Sequence, residues 1–182
     1  MWWIIILAII LVIAGLLISL YNNLAKQKVL INEASADIET FLKQRYDMIP
    51  NLVEIVKGYA KHEKETFEKV TEMRTKAMSA GTLEEKMSYE KELSGAITQL
   101  FAVAENYPEL KANENFKELQ TSLKDLEDNI QKSRRFYNGT VRDFNSMIAV
   151  FPNNLVAGMF GYNDMPFFEA SDEEKENVKI KF

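Results

Sequence analysis

MWWIIILAIILVIAGLLISLY, residues 1–21, contains no charged side chain, and the first lysine of the chain is Lys26. At a helical rise of about 1.5 Å per residue, some twenty residues cover the roughly 30 Å hydrocarbon core of a bilayer. Trp2 and Trp3 at one end and Tyr21 at the other suit the two interfacial aromatic belts. The stretch therefore predicts a transmembrane anchor over residues 1–23. The competing reading is a cleavable signal peptide, which wants a basic leader, a short apolar core and a small-x-small cleavage site. Here no Lys or Arg precedes the run, the run is long, and the one small pair, Ala14-Gly15, lies among apolar residues. A buried helix of a soluble protein would show a polar face, and this stretch has none. Positive charge near the ends sets orientation. None lies upstream, while Lys26 and Lys28, then Lys43 and Arg45, lie downstream. The expectation is a single-pass protein of the cell membrane with its N-terminus outside and its C-terminal part in the cytoplasm.

The chain has 182 residues, and the portion beyond the anchor is enough for one domain of ordinary size. A net charge of −5 argues against a general nucleic-acid binder, which needs a basic face to displace counterions. The absence of Cys removes disulfides, thiolate metal sites and thiol nucleophiles, and the single His removes any multi-His metal site. Seven Gly and four Pro leave little punctuation, so long helices are expected.

Apolar residues recur at three- and four-residue steps from Leu24 through Ile31, Ala34, Ile38, Phe41, Leu42, Ile49, Leu52, Val56 and Tyr59 to Phe67, Val70, Met73 and Ala77. Such a stripe is the signature of an amphipathic helix. Pro50 interrupts it, with Asp47 placed to cap a new helix. Gly81 suits a left-handed C-terminal cap, and Thr82 with Glu85 predicts a capping box for a helix ending at Pro108. Asn115 with Glu118 suggests another box, opening a last long helix to about Val150 with Phe116, Leu119, Leu123, Leu126, Ile130, Tyr137, Val141, Phe144 and Ile148 on its stripe. The fold class is all-α: a transmembrane helix followed by an antiparallel up-and-down bundle over residues 24–152. The bundle has four helices if the chain reverses at Pro50, and three long ones otherwise. Cover for Ile31, Ile38, Phe41 and Leu42 favours the reversal. Residues 153–182 read as a tail of short irregular or strand-like pieces, with an acidic run at 171–177 and an alternating end at 178–182.

The chemistry-bearing residues are few. A second His one turn after His62 would build a zinc site, but that position is Thr66. Tyr59 stands where a diiron bundle would need Glu. No Gly-rich phosphate loop and no nucleophile elbow is present. Gln120, Glu127 and Arg134 are spaced by sevens beside the last apolar stripe, and Arg45, Glu63 and Arg74 fall near the first. These six form a candidate structural polar network, set against the plainer reading of side chains that flank a core and reach for solvent. Asn138-Gly139-Thr140 matches the glycosylation triplet, but inside a predicted helix the match reads as chance.

Several longer motifs coincide in order: Arg45-Tyr-Asp-Met-Ile-Pro-Asn-Leu-Val53, Lys57-Gly-Tyr-Ala-Lys-His-Glu63, Ala104-Glu-Asn-Tyr-Pro-Glu-Leu-Lys111, and Ser133-Arg-Arg-Phe-Tyr-Asn138 with Asn145 and Phe151-Pro152. On these the chain resembles the LemA family of bacterial membrane proteins over nearly its whole length. The resemblance implies a helical bundle on one membrane helix with a short N-terminus outside. It supplies no catalytic residue, ligand or cofactor. Genes associated with the family include membrane proteases and envelope proteins, which points by association to scaffolding or membrane quality control.

The sequence thus favours a non-enzymatic, membrane-anchored scaffold or adaptor with no cofactor. Its expected partners are the membrane, through the anchor, and further copies of itself or other membrane proteins. A metal-dependent or otherwise catalytic carboxylate-rich bundle is the first rival. A lipid- or envelope-binding module whose tail or second-half helices lie on the bilayer is the second.

Overall fold

A computed structural model describes residues 1–168. The expected acidic run and alternating end lie outside the described residues. Six helices are present among those described: α1 (Trp2–Tyr59), α2 (Lys64–Ser79), α3 (Leu83–Ala104), α4 (Pro108–Ala112), α5 (Glu114–Ala149) and α6 (Asn153–Phe160). No strand occurs among them. The chain divides into two compact units, one of Met1–Ile38 with Lys132–Phe168 and one containing Glu39–Gln131.

The second unit is an up-and-down bundle of four helical segments. Arg45 and Tyr46 of α1 meet Glu90 of α3, and Glu39 meets Lys86, so these two segments run parallel. Tyr46 meets Arg74 and Lys57 meets Phe67, so α2 runs against α1. Lys69 reaches Glu92 and Lys76 lies over Tyr89, so α3 runs against α2. Arg45 meets Glu127 while Tyr59 meets Asn113, which brings α5 back down. The core is the expected stripe: Leu42, Ile49, Leu52 and Val56 are buried with Val70, Met73, Leu93, Leu100, Leu123 and Ile130.

The reversal does not fall at Pro50. Helix α1 runs through it and ends at Tyr59, and the chain turns over Ala60–Glu63. Two local facts account for the correction. Proline lacks the N–H that would bond the carbonyl four residues back, here that of Tyr46. In the structure Arg74 Nε donates to that carbonyl oxygen at 2.7 Å, so a side chain of α2 takes the place of the missing backbone donor. The turn itself sits where the apolar stripe lapses, across Lys61-His-Glu-Lys-Glu-Thr66. Asp47 caps nothing and pairs instead with Lys43 at 2.8 Å.

Two further caps differ from expectation. Gly81 is not left-handed, and α2 ends on Ala80 in an extended conformation. The Thr82–Glu85 box alone governs this connection: Thr82 Oγ1 accepts from the Glu85 N–H at 3.2 Å, and the Glu85 carboxylate accepts from the Thr82 N–H at 3.3 Å. Helix α5 opens two residues before the proposed Asn115 box, because Asn113 Oδ1 accepts from the Phe116 N–H at 3.1 Å.

In the first unit α1 is exposed from Met1 to Ser19, and its buried stripe begins at Leu24. Leu24, Ile31, Ala34 and Ile38 form that stripe, with Tyr137, Val141 and Phe144 from α5 and Val156 and Ala157 from α6 also buried. Residues 153–160, read as irregular from the sequence, are the helix α6. Gly161 closes it in the left-handed conformation (φ 72°), as a residue without Cβ can do at no steric cost. The chain then runs as an extended strap to Phe168.

Candidate functional site

Two clusters of polar side chains are built with enough specificity to matter, one in each unit. In the bundle the centre is Arg45. It takes a stripe position, seven after Ile38 and four before Ile49, and its helix therefore turns it inward. Arg45 is 2% exposed and Glu90 likewise 2%. One guanidinium nitrogen donates to the Glu90 carboxylate, whose other oxygen accepts from the Tyr46 hydroxyl. The second nitrogen donates to Glu127 Oε2 at 2.5 Å and to Ser94 Oγ at 3.1 Å. Glu127 keeps 35% of its side chain exposed, so only Glu90 depends wholly on protein donors.

Of the six residues proposed for a network, the structure brings together Arg45 and Glu127, with Arg74 beside them on the Tyr46 carbonyl. Glu63 stands at the start of α2, Gln120 is exposed, and Arg134 lies in the other unit over the Phe168 ring, 5.7 Å from its centroid. Glu90, Tyr46 and Ser94 were missed. A signal existed for Glu90: it stands three before Leu93 and seven before Ile97, on the buried stripe of α3.

The second cluster holds the strap. Asn138 and Asn145 stand two turns apart on α5. Asn145 Oδ1 accepts from the Met165 N–H and its Nδ2 donates to the Met165 carbonyl, both at 2.9 Å. Asn138 does the same to Phe168, both at 2.8 Å. Seven helical residues rise about 10 Å, and three extended residues advance about 10 Å, so the two amides meet the strap in register. Between them Tyr137 donates its hydroxyl proton to the Pro166 carbonyl at 3.0 Å, and its ring meets Phe168 edge-on at 5.2 Å. Burial pushes the Tyr137 phenol above its ordinary pKa. The Asn138 amide is thus occupied in holding backbone, whatever its triplet suggests.

His62 is exposed in the turn after α1. Among the described residues no group of three or more His, Cys, Asp or Glu is placed to hold a metal ion. One cleft, about 490 Å³, is an open trough between α1 and α5 walled by Met48, Asn51, Ile55, Asn115 and Leu119. A second of about 320 Å³ lies beside Pro50 and Arg74.

An all-α bundle, an exposed apolar N-terminal helix long enough to cross a membrane, and polar clusters that lock helices define a membrane-associated helical-bundle protein. Residues 34–182 match the LemA family. Protein LemA of Metamycoplasma hominis is 30% identical over 86% of this chain and 72% of its own length. Magnetosome protein MamQ 2 of Paramagnetospirillum magneticum is 26% identical over 90% of this chain and 70% of its own. Magnetosome protein MamQ of Magnetospirillum gryphiswaldense is 24% identical over 73% of this chain and 58% of its own. The chain belongs to the LemA family.

Proposed function

We propose that this protein is a non-enzymatic scaffold held in the cell membrane by one pass of α1, with its N-terminus outside, its remaining helices in the cytoplasm, and its copies associated with one another. One observation carries the reading. Along a single helix, every side chain from Met1 to Ser19 is exposed and uncharged, whereas from Leu24 a buried stripe begins. In water so large an apolar surface would drive aggregation, and a bilayer satisfies it. The polar clusters support the scaffold part, because their donors and acceptors are spent on each other and on backbone. Lys26 and Lys28 support the orientation.

The lack of native cysteine makes the test direct. Single cysteines at Trp3 and at Lys124 are placed in the full chain, and intact cells are treated with a membrane-impermeant maleimide. Labelling at Trp3→Cys and protection at Lys124→Cys until the cells are permeabilised is the expected pattern. The reverse pattern overturns the orientation, and extraction of the full chain by alkaline carbonate overturns the anchor. Amine crosslinking in native membranes should yield dimers or larger species, and a strictly monomeric product removes self-association.

A further inference from the structure

No charged residue occurs between Asp143 and Asp164. This second uncharged stretch comprises the end of α5, the turn at Val150–Pro152, and α6. It folds as a hairpin, yet its apolar residues are divided. Val156 and Ala157 of α6 are buried, while Leu155, Met159 and Phe160 on the same helix are exposed by 57%, 73% and 57%. At the turn Phe151 is exposed by 79% and Val150 by 54%. A helix of eight residues thus has an apolar inner face and an apolar outer face, with no charge on either.

The place of this hairpin along α1 says what covers it. Phe160 packs on Tyr21, ring centroids 4.6 Å apart, and Tyr162 lies 6.4 Å from the same ring and 6.1 Å from Phe144. Tyr21 closes the apolar run of α1. Further along the strap, Lys28 reaches Met165, and Asn138 holds Phe168. The strap therefore ascends α1 while it descends the numbering of α5, so α5 runs against α1 and its C-terminal end points toward the anchor. From Phe144, level with Tyr21, to the turn at Val150 is six residues, or about 9 Å of helix. Interfacial helices bury an apolar face to about 5–10 Å below the headgroups.

We infer that the α5–α6 hairpin is a second membrane contact, in which Phe151, Leu155, Met159 and Phe160 insert into the lipid interface beside the anchor. This rests on the reading of α1 as the anchor. The occupant is lipid because the patch continues the anchor's own surface through the Tyr21–Phe160 contact. Uncharged side chains also make no demand on headgroup charge, so contact is expected with zwitterionic lipid alone.

The experiment uses full-length protein in phosphatidylcholine vesicles, with one nitroxide per molecule at Phe151→Cys, Leu155→Cys, Leu11→Cys or Lys132→Cys. Collision rates with oxygen, which concentrates in the bilayer, and with a water-soluble nickel chelate are compared. The expected oxygen-to-nickel ratio at Phe151 and Leu155 is several-fold above that at Lys132, and below that at Leu11. A ratio at Phe151 and Leu155 equal to that at Lys132, with Leu11 still deep, overturns the hairpin contact and leaves the anchor standing. A shallow Leu11 overturns the anchor itself. Protection at Phe151 from both reagents, with dipolar broadening that vanishes on dilution with unlabelled protein, would assign the patch to a second copy and also overturn the lipid contact.

Discussion

At the level of single residues, burial decides what each charge is worth. Arg45 serves two carboxylates at once, one of them sealed from water. Breaking a buried pair by removing one partner costs about 3–5 kcal/mol, because the survivor stays charged and unsolvated. Arg45→Ala should therefore destabilise the bundle by that amount in chemical denaturation. Glu127→Gln should cost about 1 kcal/mol or less, since Glu127 reaches solvent. Equal costs for the two would show that Glu90 does not depend on Arg45. Arg45 and Glu127 are legible in the sequence because each keeps a helical register with an apolar stripe. Glu90 keeps the same register, but a list of apolar positions hides a carboxylate that replaces one of them. Tyr137 gives the pH dependence. Its pKa is raised in the folded state by burial, so the native protein binds the phenolic proton more tightly than the unfolded chain. Its contribution is complete below the unfolded value of about 10 and is lost as pH climbs through the higher folded value. Strap docking, followed by amide exchange of the Met165 and Phe168 N–H groups, should weaken above about pH 10. Tyr137→Phe should remove that component of the alkaline loss, and an unchanged alkaline profile in Tyr137→Phe would place the titration elsewhere.

At the level of elements, the continuous α1 turns on one hydrogen bond. Proline within a helix costs about 3 kcal/mol, partly through the carbonyl it orphans. Arg74 supplies the missing donor from a different helix. The two residues should then be coupled: Arg74→Ala should cost about 1 kcal/mol more in the native background than in Pro50→Ala, where the backbone N–H returns. Identical costs in the two backgrounds would mean that Arg74 does not compensate for the proline. A break at Pro50 is the natural reading of the sequence because its remedy, Arg74, lies 28 residues from the Tyr46 carbonyl it serves and declares itself only in three dimensions. The Thr82–Glu85 box, by contrast, is wholly local and forms as its spacing predicts. The strap shows the same divide. Asn138 and Asn145 share a face of α5 in any helical reading, but nothing in their spacing says that an extended segment from the same chain will lie across them. Replacing both by Ala leaves two backbone N–H groups and two carbonyls without their partners, at about 1 kcal/mol for each hydrogen bond lost. The strap should become the first site of protease cleavage, while helix content stays constant. A strap as resistant as in the parent would mean that the Tyr137 and Phe168 contacts suffice.

For the molecule as a whole, the question is what would set the proposed side of the membrane. The fold class and the long apolar N-terminal helix are legible at once, because hydrophobic period and length are properties of the chain itself. The proposed orientation rests on a small imbalance of charge. Lys26 and Lys28 are the basic residues nearest the apolar run. Acidic residues nearby count little, so these two carry most of the bias. Lys28 also touches Met165, and its removal by itself tests a contact as well as a charge. The informative comparison is therefore between Lys26→Gln/Lys28→Gln and Lys26→Arg/Lys28→Arg, each combined with the Lys124→Cys reporter. The arginine pair keeps the charge and should leave Lys124→Cys protected in intact cells. The glutamine pair should yield a mixed population, with a fraction of chains labelled from outside. Full protection in the glutamine pair would show that Lys43 and Arg45, or features other than flanking charge, fix the topology. Labelling in both pairs would assign the effect to the lost lysine contact with the strap.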